Sequence, residues 1–145
     1  MRESGPWTYA IVNLAHVLGI ATLFGSILVL DLRLIGIGRR VPLSALSASV
    51  APVAATGFAI AATTGVGLLA TKATEYVGNP FLLIKFPAIA LGVANVWVVR
   101  HSAAWRAHLE RDLTPAEERT LAILGGVSLV CWLTAMTAGR MIAYW

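Results

Sequence analysis

Charge is scarce in this chain of 145 residues: Asp, Glu, Lys and Arg together make up 12%, against 58% hydrophobic residues. A soluble domain usually carries about twice that charge fraction. With a mean hydropathy of +0.78, the apolar surface is more than a water-soluble fold of this length can hide, whereas a bilayer accepts it as outer surface. Cysteine is nearly absent. Cys131 stands alone, which excludes an internal disulfide, and its apolar surroundings (Leu129, Val130, Trp132, Leu133) read as packing. Soft metal ligands are also few, with three Met and three His in the whole chain. Clustered copper-handling chemistry would want more of them. No Asp or Glu falls inside the long apolar runs, Asp31 standing at an edge. That lack counts against a proton- or cation-coupled transporter, which normally buries a carboxylate.

What is abundant is apolar sequence, in four runs: about 7–30, 43–70, 81–99 and 121–144. Each reaches the roughly 20 residues needed to cross the hydrocarbon as a helix. Alternating short strands, the mark of a membrane barrel, are missing. The expected fold is therefore all-α, an integral membrane four-helix bundle forming one transmembrane domain over residues 1–145. Met1-Arg2-Glu3-Ser4 followed by a long apolar run fits a retained span better than a cleaved signal peptide.

Local punctuation agrees. Pro42 and Pro80 fall at helix starts, where the missing N–H costs little, and Asn79 is placed to cap the third helix. Thr114-Pro115-Ala116-Glu117 has the capping-box pattern. Pro52 and Pro87 lie inside spans, which membrane helices tolerate. Ala15, Gly19, Thr22 and Ser26 form a small-residue stripe on the first span. Gly57, Gly65, Gly67, Gly125 and Gly126 offer close approach on the second and fourth.

The net charge of +4 does not point to nucleic acid, because the basic residues gather at the ends of apolar runs. Arg33, Arg39 and Arg40 follow the first run; Arg100, Arg106, Arg111 and Arg119 follow the third. Only Arg2, Lys72 and Arg140 fall on the other side, with Lys85 just inside the membrane. The arginine-rich side is expected to be cytoplasmic, with both termini on the outer, periplasmic side of a cell inner membrane. Trp7, Tyr9, Tyr76, Tyr144 and Trp145 then form the outer aromatic belt, with Trp97 and Trp105 toward the inner one.

Ionisable residues inside the spans are His16, Lys85 and, near the exit, Arg140. At about 1.5 Å per helical residue, His16 lies roughly 13 Å below the outer surface and the other two roughly 7–8 Å. All three sit in the outer half on different helices. Asn13 is one turn before His16. Lys85, Ala88, Gly92 and Asn95 share one face of the third helix, and Leu133, Thr137, Arg140 and Tyr144 one face of the fourth. A pocket apolar below and cationic near the surface suits haem b, with His16 as axial ligand. Lys85 is the candidate second ligand, and Arg140, Lys72 or Tyr144 would lie near the propionates. The plainer alternatives are a histidine bonding a neighbouring helix, a lysine reaching up to the interface and an arginine anchor. His101 and His108, beside Arg100, Trp105 and Arg106, read as a wet amphipathic surface.

From His16-Val17-Leu18-Gly19 through Gly25-Ser26 to Asp31-Leu32-Arg33-Leu34, the chain resembles two groups of bacterial four-helix membrane proteins. One is the CopD-like copper-resistance group, the other the HemJ-type protoporphyrinogen oxidase group. It looks closest to uncharacterised bacterial membrane families near them. Asn79-Pro80-Phe81 with Lys85, and Ala138-Gly139-Arg140-Met141-Ile142-Ala143-Tyr144, are similar to those families too. The HemJ resemblance implies a histidine on an early helix and a lysine at the start of a later one, associated with haem b; His16 and Lys85 match. It also implies a Pro-Arg-Leu sequence after the first span, which Asp31-Leu32-Arg33-Leu34 replaces, so the match favours the haem more than the porphyrinogen oxidation. The expected role is electron transfer, with a larger redox complex or a quinone as partner. The alternatives are an accessory subunit or scaffold of a larger complex, CopD-like copper handling, and HemJ-like catalysis.

Overall fold

A computed structural model describes residues 5–145. Arg2 and the rest of the segment 1–4 lie outside the described residues. The described chain is helical with no strand, and it is a four-helix bundle. Helix α1 spans Pro6–Ile35, α2 Leu43–Thr71, α3 Pro80–His101 and α5 Pro115–Met141, with a short α4 at Ala103–Ala107 and a closing 3-10 turn at Ile142–Tyr144. The four long helices are each long and apolar enough to cross a membrane.

Their ends follow from local chemistry. Gly36, at φ 118°, ends α1 in the left-handed conformation, and its N–H donates to the carbonyls of Leu32 and Arg33. A glycine there avoids the Cβ clash other residues would meet. Pro80 opens α3, and Asn79 Oδ1 accepts from the Phe81 N–H at 2.9 Å. The capping box opens α5. Glu117 N–H donates to Thr114 Oγ1 at 3.3 Å, and Thr114 N–H donates to Glu117 Oε2 at 2.9 Å. Pro52 and Pro87 lie within continuous helices.

Helices α1 and α5 form the middle of the bundle. Helix α2 flanks α1, and α3 flanks α5, while α2 and α3 make no extended contact with one another. Small residues set the α1–α2 contact. A Cβ on Gly57 would lie 2.5 Å from the Leu23 backbone nitrogen, and one on Gly19 would lie 2.7 Å from that of Ala61. The two backbones touch there, as close membrane-helix packing requires. Gly125 makes room for the Leu34 side chain, whose Cβ would lie 2.9 Å from a Cβ there. Gly126, expected to share this role, faces open space instead.

Two apolar clusters fill the interior. Leu34, Leu43, Val99, Ala104 and Leu121 form one at the arginine-rich end, where Leu121 is the most deeply buried. The other gathers at the waist around Trp132, with Leu23 and Ile27 of α1 and Phe58 of α2. The Phe58 ring meets the indole edge-on at 6.3 Å. The six-membered ring of Trp132 lies over Gly92 of α3, where a Cβ would be 2.9 Å away. A single side chain thus touches all three other spans. Gly92 and Asn95 therefore do not line an open pocket, as their shared face suggested. Trp132 occupies the space over Gly92, and Asn95 Nδ2 donates to the Leu124 carbonyl at 3.0 Å.

Asp31 is likewise not an edge residue. It is buried, 4% exposed, on the face of α1 that also presents Gly19, Leu23, Ile27 and Leu34 to the interior. Ser128 of α5 sits beside it, and its Oδ2 has no hydrogen-bond partner. The reason is that α1 continues to Ile35, past the apolar run, and keeps the same stripe inward. With a carboxyl group inside, the argument against ion-coupled transport from the lack of one no longer holds.

Candidate functional site

The end of the bundle carrying both termini holds the candidate site. His16 lies on α1 against α2. Its Nδ1 is 2.9 Å from the Ala61 carbonyl oxygen and 3.0 Å from Thr64 Oγ1. The Thr64 hydroxyl donates its own proton to the Ile60 carbonyl at 2.6 Å, so toward His16 it accepts. Both neighbours of Nδ1 are acceptors, which assigns the proton of the neutral ring to Nδ1. Nε2 is then the lone-pair nitrogen, and it carries no hydrogen bond. The ring stands on Gly65, where a Cβ would come 2.9 Å from Cε1. Only a residue without a side chain leaves the imidazole that position.

Lys85 lies on α3 and runs along α5, its Nζ 3.3 Å from where a Cβ on Gly139 would be. The side chain is partly buried, and its amine has no hydrogen-bond or ion-pair partner among the described residues. Lys85 and His16 lie on different helices, α3 and α1, at the same end of the bundle. An intramembrane cation normally pairs with an acceptor. Here none is supplied by the described chain.

The remaining expected site residues are exposed or engaged with other side chains. Asn13 is exposed. Arg140 and Tyr144 are exposed and bond one another, Nη2 donating to the phenol oxygen at 2.6 Å, with the guanidinium 4.9 Å above the ring. Lys72 forms an ion pair with Glu75 at 3.2 Å and lies over the Tyr9 ring. His16 and Lys85 are thus partly buried at this end of the bundle, while Asn13, Arg140 and Tyr144 are exposed.

The opposite, arginine-rich end contains polar contacts that spacing did not reveal. His108 does not lie on a wet surface: it is buried, 7% exposed. Its Nε2 is 2.9 Å from Ser47 Oγ of α2, and its Nδ1 bonds the Trp105 carbonyl. Burial lowers the His108 pKa below the ordinary imidazole value, with the bond to Trp105 opposing. His101 does stay exposed. It stacks on Trp97 at 4.4 Å and donates to the Trp97 carbonyl at 2.8 Å. Arg111 grips Glu117 through two bonds, Nη1 to Oε2 at 2.9 Å and Nη2 to Oε1 at 2.7 Å. The one signal for His108 was Trp105, three residues earlier and next to Ala104, the buried residue of α4.

Among the described residues, no three His, Cys, Asp or Glu side chains gather in a way that would hold a metal ion. The family described as a family of unknown function, DUF6644, matches residues 5–145. No curated protein and no solved structure matches the chain.

Proposed function

We propose that this chain, which belongs to the DUF6644 family, is a b-type haem protein of the membrane that serves electron transfer, with His16 as principal axial ligand. The observation that carries this reading is the His16 ring. Nδ1 is held by the Ala61 carbonyl and Thr64, and Nε2 is left with its lone pair and no hydrogen bond. Metal-ligating imidazoles are typically oriented in this way, one nitrogen on a carbonyl and the other on the metal.

The residues present fit the group. Lys85 is the nearby second donor or propionate partner, and its amine lacks an acceptor of its own. As an axial ligand it must be neutral, because only the free amine has a lone pair. Because α2 and α3 make no extended contact, helix packing does not close the bundle between them. Haem supplies a reversible one-electron couple. The chain's part is to fix the imidazole, keep the site among apolar helices and hold a cation beside it, levers that set a haem potential.

The test is a reduced-minus-oxidised spectrum with haem quantification on the detergent-purified chain. A haem band is expected in the wild type, lost in His16→Ala and displaced in Lys85→Ala. A wild type without haem, or a His16→Ala band identical to it, overturns the reading. The proposed setting is a bacterial inner membrane, with the arginine-rich end in the cytoplasm and a larger redox complex or a quinone as electron partner. Alkaline phosphatase fused after Trp145 should be active in this orientation.

The other readings have less behind them. Copper handling has no cluster of ligands in its favour, and porphyrinogen oxidation rests on resemblance alone. An accessory subunit is favoured by the apolar outer faces of α2 and α3, though lipid would cover these equally well.

A further inference from the structure

A second candidate site lies at the opposite end of the bundle. A cavity of about 360 Å³ opens between the α1–α2 connection, the start of α2 and the segment leading into α5. That volume falls within the range of roughly 300–1,000 Å³ typical of small-molecule pockets. Its charged lining consists of Arg33, Arg39, Arg40 and Arg111, with Asp112 and Glu118.

The arginines are unequally engaged. Arg111 is matched by its two bonds to Glu117. Arg39 reaches Glu118 only at 3.5 Å, in an exposed pair that contributes little. Arg33 and Arg40 have no acidic partner among the described residues. Arg33 is moreover held in place. It is half-buried, its Nε donates to the Val41 carbonyl at 2.8 Å, and both terminal nitrogens remain without an acceptor. A guanidinium fixed through Nε with its outer nitrogens open is preorganised for a tetrahedral oxyanion. Leu43 and Ser44 also line the cavity, and they belong to the first turn of α2, whose N-cap is Pro42, without a side-chain cap. First-turn amides that lack a cap add favourable potential for an anion.

We propose that this cavity binds a phosphate group, supplied by the headgroup of an anionic phospholipid and gripped by Arg33 and Arg40. The cavity sits at the end of the bundle where four apolar helices of membrane-spanning length end, the level that headgroups take up around such spans. Basic pockets between membrane helices hold such headgroups. A soluble phosphate ester carries the same chemistry, and the experiment separates the two sources.

The test uses the full chain purified in detergent and stripped of lipid, with binding followed by native mass spectrometry. The probes are phosphatidylglycerol, phosphatidylcholine and soluble glycerol phosphate. The wild type should retain phosphatidylglycerol over phosphatidylcholine. The double variant Arg33→Gln/Arg40→Gln should bind it about tenfold more weakly or worse, as loss of charged hydrogen bonds implies. Arg106→Gln makes a single charge change outside the cavity and should have no effect. Should loss of the Arg33–Val41 bond unsettle the fold, Arg40→Gln alone, at an exposed position, still has to weaken binding relative to Arg106→Gln. Equal loss in Arg40→Gln and Arg106→Gln, or equal retention of the two lipids, overturns the proposal. Tighter binding of glycerol phosphate than of phosphatidylglycerol overturns the lipid source.

Discussion

The two ends of this bundle treat their polar groups differently. At the arginine-rich end most are matched: His108 to Ser47 and Trp105, Arg111 to Glu117, Thr114 to Glu117 in the capping box. The apolar cluster around Leu121, the most deeply buried large side chain among the described residues, lies there too. At the termini end the two ionisable side chains within the spans are left open, His16 at Nε2 and Lys85 at its amine. Satisfied polar contacts hold a fold in place, whereas unsatisfied ones in an apolar setting imply something still to be bound. The same reasoning marks Arg33 and Arg40 as exceptions at the arginine-rich end. It leaves Asp31 Oδ2 and Trp132 Nε1 as buried atoms whose partners are not among the described residues.

Trp132 joins the two ends, and its removal is the largest expected effect. Trp132→Ala deletes a ring that touches α1, α2 and α3 and should destabilise the chain by about 3–5 kcal/mol. Thermal unfolding in detergent reads this directly. A midpoint shift no larger than that of an exposed substitution such as Val130→Ala would show that the ends are held together by other contacts.

The next effect is expected at the arginine-rich end. Ser47→Ala leaves the buried His108 Nε2 unpaired, at a cost of about 1–3 kcal/mol. The same ring makes stability depend on pH. Burial sets the folded-state His108 pKa below the unfolded value of about 6.5. Below that value the unfolded chain binds more protons than the folded one. The contribution is therefore complete above about pH 6.5 and is lost as pH falls through the folded value. Unfolding midpoints between about pH 7.5 and 5 should drop for the wild type and drop less for His108→Gln. Parallel curves would remove His108 from the account.

The smallest effect on stability is expected at the termini end. Gly65→Ala places a Cβ 2.9 Å from His16 Cε1, and the imidazole, as a mobile side chain, can swing away. The unfolding midpoint should move by less than about 1 kcal/mol equivalent, while the proposed haem spectrum changes markedly. A large loss of stability with an unchanged spectrum would make His16 a packing residue and erase the contrast between the ends.

Legibility in the sequence divided along the same physical line. The Asn79 cap, Pro80 at the start of α3 and the Thr114–Glu117 box were all readable, since each depends on residues within one turn. His16 and Lys85 stand out in the sequence because charge is so rare in the spans. Asp31 was misplaced, although Gly19, Leu23, Ile27, Asp31 and Leu34 recur at helical spacing and together mark the inward stripe. His108 is buried against Ser47 of another helix, a contact that no pattern within its own segment encodes.

Composition and local pattern were enough to establish four long apolar helices and their starting points, because hydrophobicity, caps and prolines act along the chain itself. Which face of each helix turns inward was settled only by tertiary packing. In a membrane protein the lipid is as apolar as the interior, so a Leu or Val facing either way looks the same in sequence. That is why Trp132 over Gly92, the burial of Asp31 and the convergence of Arg33 and Arg40 on one cavity emerged only when the helices were packed together.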